Sequence, residues 1–203
     1  MKRIHFISGL LISFFVVLHL FNHLFSLFGE KSHIEIMTML RNLYRNIFIE
    51  IILLFSIVTQ IYTGIKQFNT KRRIAKTFFE KLQIWSGVYL AIFFIIHLSA
   101  IFAGRFILKV DTNLYFGAAG LNSFPFNLFF IPYYGLAVLS FFGHIASIHS
   151  NKMKVSFFIL SPSAQAKAIL FLGICIMLLL IYGLTNGFKG IIIPKEYNMS
   201  IDI

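Results

Sequence analysis

Two histidines occupy equivalent positions in two long apolar segments of the chain. Each lies eleven residues after the serine of a Ser-Gly pair: His19 follows Ser8, and His97 follows Ser86. At 1.5 Å per helical residue, both imidazoles lie roughly 16 Å beyond those serines. If the two segments cross a membrane from the same side on neighbouring helices, they place two imidazoles at one depth, where both can ligate one metal.

The matched pair favours haem among the metals that imidazole binds. Burying histidine in hydrocarbon is costly, so intramembrane histidines usually face a cavity, a partner or a cofactor. Neutral imidazole is a strong axial ligand for haem iron. Zinc requires further ligands, and no acid or thiol lies at that level of the sequence. The alternative is structural: each imidazole forms a hydrogen bond with another helix.

Other histidines are weaker candidates. His144 lies within a fourth apolar segment and is as good a ligand candidate as a structural one. His23 lies one turn beyond His19 on the same helix face, as an alternative ligand or, preferably, a polar neighbour. His5 and His33 lie at or outside the predicted membrane boundary, where we expect them to be solvated.

Glu50 is the single acid that we place inside a predicted span, near its start. A carboxylate at this depth can form an ion pair with Arg105 or Arg45, or relay a proton to a bound quinone. It can equally extend to the water at the membrane surface.

The elements that must position these residues follow from composition. Hydrophobic residues make up 58% of the 203 residues and charged residues 12%, whereas soluble domains carry about 25% charged residues. Five segments are long and apolar enough to span a bilayer: 5–29, 47–68, 84–108, 127–149 and 166–187. The sequence predicts an all-α integral membrane protein with a single transmembrane domain over 1–203. Residues 34–44 are predicted to form a short interfacial helix.

Charge indicates orientation rather than nucleic-acid binding. The net charge is +11, but Lys and Arg flank the apolar runs, where lipid headgroups attract them. An N-terminus inside the cell places eleven of these residues on the inner face and seven on the outer face. We therefore expect an integral protein of the bacterial inner membrane with its N-terminus inside and with no nucleic-acid partner.

Five motifs follow one another along nearly the whole chain: Arg3-Ile4-His5, Ser8-Gly9 with His19, Gln60-Ile61-Tyr62-Thr63-Gly64, Ser86-Gly87 with His97, and His144. This order, together with the chain length and five spans, resembles the single-chain cytochrome b membrane anchors of the succinate dehydrogenase and fumarate reductase family. The resemblance implies that the first four spans surround a haem-type core, with an outer haem b held by His19 and His97. It implies an inner haem held by His144 and a histidine of the second span.

The second span departs from the family pattern. The position that corresponds to the inner histidine ligand is Gln60, whose amide is a poor haem ligand compared with imidazole. Three alternatives follow: the inner haem is absent, it is held by His144 alone, or it is replaced by a polar contact between Gln60 and His144.

The resemblance also implies a function. The chain would be a non-catalytic electron-transfer subunit, and flavoprotein and iron–sulfur subunits would dock on its inner face near the basic loop at 71–81. Electrons would pass between the iron–sulfur subunit and a membrane quinone, which is the substrate. Two alternatives are a haem-free scaffold or small transporter of the same fold, and a cytochrome b that serves another dehydrogenase.

Overall fold

The structure is a computed structural model that describes residues 2–157 and 159–198, without the side chain of Lys2. Within these residues it contains seven α-helices and no strand: α1 (Lys2–Leu24), α2 (Glu30–Tyr44), α3 (Ile47–Lys71), α4 (Phe78–Phe102), α5 (Leu114–Asn122), α6 (Asn127–Lys152) and α7 (Pro162–Leu184). A 3-10 turn, Phe25–Phe28, extends α1, and a π-helical segment, Ala103–Leu108, extends α4. Five of the helices, α1, α3, α4, α6 and α7, are long and apolar enough to cross a membrane. The predicted all-α membrane bundle with five spans is confirmed.

Local sequence signals set the helix starts. The Thr77 side chain accepts a hydrogen bond from the Glu80 backbone, and the Glu80 carboxylate accepts one from the Thr77 backbone. This reciprocal cap satisfies two free amide groups, so α4 begins at Phe78, six residues before the predicted start of that span. Asn46 caps α3, and Ser161 followed by Pro162 starts α7.

The five long helices form a ring in which each packs against two neighbours. The order around the ring is α1, α3, α4, α6 and α7, and α7 closes it against α1 and the following 3-10 turn. The sequence analysis placed the two helices with matching sequence, α1 and α4, next to each other, but in the structure they are not neighbours. They are separated by α3 on one side and face each other across the interior of the ring.

The short helices cover one end of the ring, which we call the capped end. Leu114, Ala118 and Ile191 form a buried cluster that joins α5 to the C-terminal segment. Arg41 of α2 donates to Asp111 at 2.8 Å, which ties α2 to the segment before α5. Helix α2 begins four residues before the predicted interfacial helix, and α5 lies between the predicted spans 84–108 and 127–149, where no helix is predicted.

The opposite end carries the turn at 72–77 and the segments 153–157 and 159–161, and we call it the basic end. Arg72, Arg73, Lys76 and Lys154 lie there. Because α1 starts at this end, α4 runs parallel to α1 and α6 runs antiparallel to both.

Helices α6 and α7 pack closely because α7 has glycine at the contact. A Cβ atom added at Gly173 would lie 2.5 Å from Cβ of Phe142, an atom fixed to the α6 backbone that cannot rotate away. We expect Gly173→Ala to lower the free energy of unfolding by about 1–3 kcal/mol, the usual cost of overpacking. Thermal unfolding in detergent measures this loss.

Gly117→Ala is the matched control, since a Cβ atom at Gly117 of α5 meets nothing within 4 Å. Alanine there should be neutral or slightly stabilising. Equal loss of stability in both variants would contradict the close α6–α7 contact.

Candidate functional site

His19 of α1 and His97 of α4 meet across the ring towards the capped end. Their ring centroids are 6.3 Å apart, with the planes inclined at 68°. Each imidazole stacks on a phenylalanine one turn earlier in its own helix, His19 on Phe15 at 5.7 Å and His97 on Phe93 at 5.1 Å. The sequence repeat therefore reproduces a local arrangement, an imidazole held flat against a phenylalanine, on both sides of the interior.

A row of hydrogen-bonded histidines continues from His19 towards the capped end. Nε2 of His19 lies 3.1 Å from Nε2 of His23, and Nδ1 of His23 lies 3.0 Å from Nε2 of His33. His33 is only 1% exposed, so the expectation that it is solvated was wrong. The chain reverses at Gly29, whose φ of 99° favours glycine, and α2 folds back so that His33 reaches the end of α1.

His33 is electrically neutral at physiological pH. Its burial, with a smaller contribution from the nearby positive charge of Arg41, lowers the pKa of His33 to about 4. Neutral imidazole has one donor and one acceptor nitrogen, so His33 can take part in the row without bringing a charge into the protein.

The histidines form a row rather than a convergent cluster. No group of three or more His, Cys, Asp or Glu side chains in the described part of the chain could hold a metal ion. The geometry offers paired imidazoles from opposite helices, which suits a cofactor that provides its own equatorial ligands.

His144 of α6 lies deeper towards the basic end. Its Nδ1 is 3.1 Å from the carbonyl oxygen of Gln83 and 3.2 Å from Oγ of Ser86, both on α4. Gly87 leaves room for the ring, since a Cβ atom there would lie 3.2 Å from Cε1 of His144. The second Ser-Gly pair of the sequence repeat thus holds this imidazole against α4.

Gln60 is not the partner of His144. Its side-chain amide donates to the backbone oxygen of His5 at 2.7 Å and lies against Gly9, where a side chain would collide with it. The His5 imidazole contacts Oγ1 of Thr63 at 2.7 Å. The polar contact between Gln60 and His144 that we had considered is therefore replaced by contacts between α3 and the start of α1.

Glu50 forms an ion pair with Arg105 at 2.5 Å, one of the two partners that the sequence indicated. The other, Arg45, lies 3.6 Å from Asp111 instead. The two paired side chains are 21% and 26% exposed, and Arg105 belongs to the π-helical segment Ala103–Leu108 that extends α4. A proton-relay role for Glu50 stays a prediction.

The sequence interpretation missed two polar contacts, the one between His5 and Thr63 and the one between His33 and His23. Two spacings in the sequence could have indicated the contact between His5 and Thr63. Gln60 and Thr63 lie three residues apart on one face of α3, and His5 precedes Ser8 by three residues on α1. Nothing in the sequence indicated that α2 folds back over the end of α1.

The chain was compared with known proteins at three levels. No family model matches it, and no match was found among curated proteins or solved structures.

The buried state of His33 predicts an acid-sensitive fold. In the unfolded chain this residue takes up a proton near pH 6.5, but in the folded protein only near pH 4. Acidification from pH 7.5 to pH 5 therefore favours the unfolded state, by roughly 2 kcal/mol from this residue. We expect His33→Asn to lose less stability over this interval than the wild type when unfolding is followed in detergent. Equal losses would show that His33 titrates normally.

Proposed function

We propose that this protein is the membrane-anchor and electron-transfer subunit of a complex of the succinate dehydrogenase and fumarate reductase type, with a haem b between His19 and His97. The observation that carries the proposal is the 6.3 Å separation of these two rings across the bundle. Two imidazoles on opposite sides of one metal, each bound at about 2 Å, have centroids roughly 6 Å apart.

The surroundings of the pair suit this role. His97 makes ring contacts with Phe93, His19 and Tyr134, and it has no hydrogen bond to another described side chain. Binding of iron at Nε2 of His19 would require its hydrogen bond to His23 to break. His23 would keep its other partner, His33.

Haem held there would supply a one-electron carrier within the membrane. The chain's own residues would bind and orient it: His19 and His97 would hold the haem, and Phe15 and Phe93, which stack on them, would fix the planes of the two imidazoles. The capped end, with α2 folded over the end of α1, separates this level from water. The partly buried Glu50–Arg105 pair, also towards the capped end, is our candidate for contact with quinone or for proton transfer.

Partner subunits would dock at the basic end. Positive charge at the cytoplasmic side is typical of inner-membrane proteins, which supports an orientation with the N-terminus inside. The turn with Arg72, Arg73 and Lys76 then faces the cytoplasm, where flavoprotein and iron–sulfur subunits would supply or accept electrons.

One observation favours a second candidate function, a haem-free scaffold or small transporter. His19 and His23 satisfy each other through the 3.1 Å contact of their Nε2 atoms, and His23 and His33 do so at 3.0 Å. In that case the histidines connect α1 and α2 and hold no cofactor.

Haem content separates the two candidates. We expect the purified protein to contain haem in a pyridine haemochrome assay, and His19→Ala and His97→Ala each to lower the content by one haem per chain. His149→Ala is the control, since His149 contacts Gln165 at 2.7 Å at the basic end and should leave haem in place. A well-folded wild-type protein without haem would rule out the proposal in favour of the scaffold.

Co-purification tests the complex. We expect a flavoprotein and an iron–sulfur subunit with succinate or fumarate activity to accompany the protein, and the double substitution Arg72→Glu and Arg73→Glu to release them. Lys189→Glu, beyond the other end of α7, should retain them. Capture of a different dehydrogenase would identify the chain as the cytochrome b of that enzyme.

A further inference from the structure

An open cavity of about 480 Å³ lies at the capped end, where α2 meets the start of α3. Its walls are polar, and the lining residues are Thr38, Arg41, Asn42, Arg45 and Asn46. The first four follow one another at positions i, i+3, i+4 and i+7, so they lie on one face of α2. None of the five makes a hydrogen bond to a histidine in the described part of the chain. The cavity is therefore separate from the histidines inside the ring.

One acid faces the two arginines of the cavity. Nη1 of Arg41 donates to both carboxylate oxygens of Asp111, at 2.8 and 3.0 Å. Nη2 of Arg41 donates to the carbonyl oxygen of Thr112 at 2.6 Å, so this guanidinium is fixed. Arg45 lies 3.6 Å from the same carboxylate. A single negative charge thus serves two positive charges, and the wall of the cavity keeps a surplus positive charge beside Arg45.

The surplus charge acts on the pKa of Arg45. Burial and the positive charge of Arg41 lower this pKa, and the negative charge of Asp111 offsets only part of that effect. A third arginine, Arg105, also lowers it, and the negative partner of Arg105 is Glu50. An anion bound in the cavity would relieve this repulsion between the guanidinium groups.

Hydrogen-bond donors line the same cavity. Nη2 of Arg45 donates to Oγ1 of Thr112 at 3.0 Å, and its Nε and Nη1 have no acceptor among the described residues. The amide of Asn42 has no hydrogen bond to a described residue either. Asn46 uses its oxygen, which accepts from the backbone amide of Phe48 at 3.0 Å. A guanidinium edge and two amide NH2 groups therefore remain as donors, and guanidinium is well suited to the oxygens of a phosphate group.

The apolar surface beside the cavity indicates the source of the phosphate. Asn46 caps α3, which is long and apolar enough to span the membrane. Ile47, Phe48 and Ile51 in the first two turns of α3 are exposed, as is Leu43 of α2. In a bilayer these side chains contact acyl chains, while the cavity lies just outside the apolar span, at the level of the lipid headgroups. A phospholipid can therefore place its phosphate in the cavity and its acyl chains against α3.

The charge of the cavity discriminates among phospholipids. The phosphodiester brings one negative charge, which matches the surplus positive charge beside Arg45. A choline or ethanolamine headgroup adds a positive charge that Arg41 and Arg45 would repel. A glycerol headgroup adds only hydroxyl groups. Oγ1 of Thr38 can accept a hydrogen bond from such a group, because the Thr38 hydroxyl directs its own proton to the carbonyl oxygen of Ile34 at 2.8 Å.

We propose that the cavity between α2 and α3 binds the phosphate of an anionic phospholipid of the phosphatidylglycerol class, with Arg45, Asn42 and Asn46 as its donors. The bound lipid connects α2 to α3 and stabilises the capped end. The inference depends on the membrane bundle and not on haem or on partner subunits, so it goes beyond the proposed function.

Thermal unfolding of the delipidated full chain in detergent tests the site. We expect added phosphatidylglycerol to raise the unfolding temperature more than added phosphatidylcholine, since a ligand that binds the folded state stabilises it. Inorganic phosphate should not produce this rise. In Arg45→Gln, the mole fraction of phosphatidylglycerol that gives half of the rise should increase roughly tenfold or more, because a charged hydrogen-bond donor is lost.

Lys31→Gln is the matched control for Arg45→Gln. It removes one positive charge from the same helix, but the Lys31 side chain is 91% exposed and lies outside the cavity. The response of this variant to phosphatidylglycerol should equal that of the wild type.

A second variant keeps the test decisive if loss of the contact between Arg45 and Thr112 weakens the fold. Asn42→Asp keeps the shape of a side chain that has no hydrogen bond to a described residue, but it places a negative charge in the cavity. The additional stabilisation by phosphatidylglycerol should disappear. Asn69→Asp makes the same change at an exposed position near the other end of α3 and should leave the stabilisation intact.

Three results would overturn the inference. Equal stabilisation of the wild type by both lipids would show that the cavity does not select an anionic headgroup. Equal weakening in Lys31→Gln and Arg45→Gln would reduce the effect to a general attraction between a basic protein and anionic lipid. A full rise with inorganic phosphate would identify a free anion, rather than a lipid, as the ligand. Haem content enters none of these measurements, so failure of the lipid site is distinguishable from failure of the proposed function.

Discussion

Histidine side chains inside a bilayer must find their hydrogen-bond partners within the protein, because the surrounding hydrocarbon offers none. This constraint explains much of the interior of the ring. His144 is held by the Gln83 carbonyl, His5 by the Thr63 hydroxyl, and His23 by imidazoles on both sides. The contacts of His144 and His5 join helices that are distant in sequence, and the contact between His23 and His33 joins α1 to α2, so the histidines also fix how the helices are arranged.

Partner type separates the histidines into two groups. At the basic end the partners are the Gln83 carbonyl oxygen and the Thr63 hydroxyl, which donates its own proton to the Thr59 carbonyl oxygen. Both partners therefore accept a hydrogen bond from Nδ1, so the lone pair of each imidazole lies on Nε2. Towards the capped end the partners are other imidazoles, each of which can donate or accept. Nε2 of His19 is therefore engaged by His23, whereas His5 and His144 are held through their Nδ1 atoms by Thr63 and Gln83.

The sequence alone predicted the five spans because their signal is local, about 20 apolar residues bounded by charge. It also predicted that His19 and His97 share a depth, since equal spacing from Ser8 and Ser86 fixes equal rise along two parallel helices. Helix order around the ring depends on contacts between distant segments, so the separation of α1 from α4 by α3 was not accessible. Helix α5 was missed for a related reason: its nine residues form a helix that packs against Ile191.

The same limit explains why Gln60 was misleading. Comparison with a family pattern identifies the residue at a given position in one helix, whereas the contacts of that residue depend on which other elements reach the same depth in the ring. Gln60 holds the backbone of His5, and the adjacent turn of α3 orients the His5 imidazole through Thr63. Two polar residues of α3, Gln60 and Thr63, thus hold the backbone and the imidazole of a residue on α1. His5 and His19, 14 residues apart on α1, then lie roughly 21 Å apart along the helix axis. The polar contacts of α1 therefore lie at two separate levels, that of His5 towards the basic end and that of His19 towards the capped end.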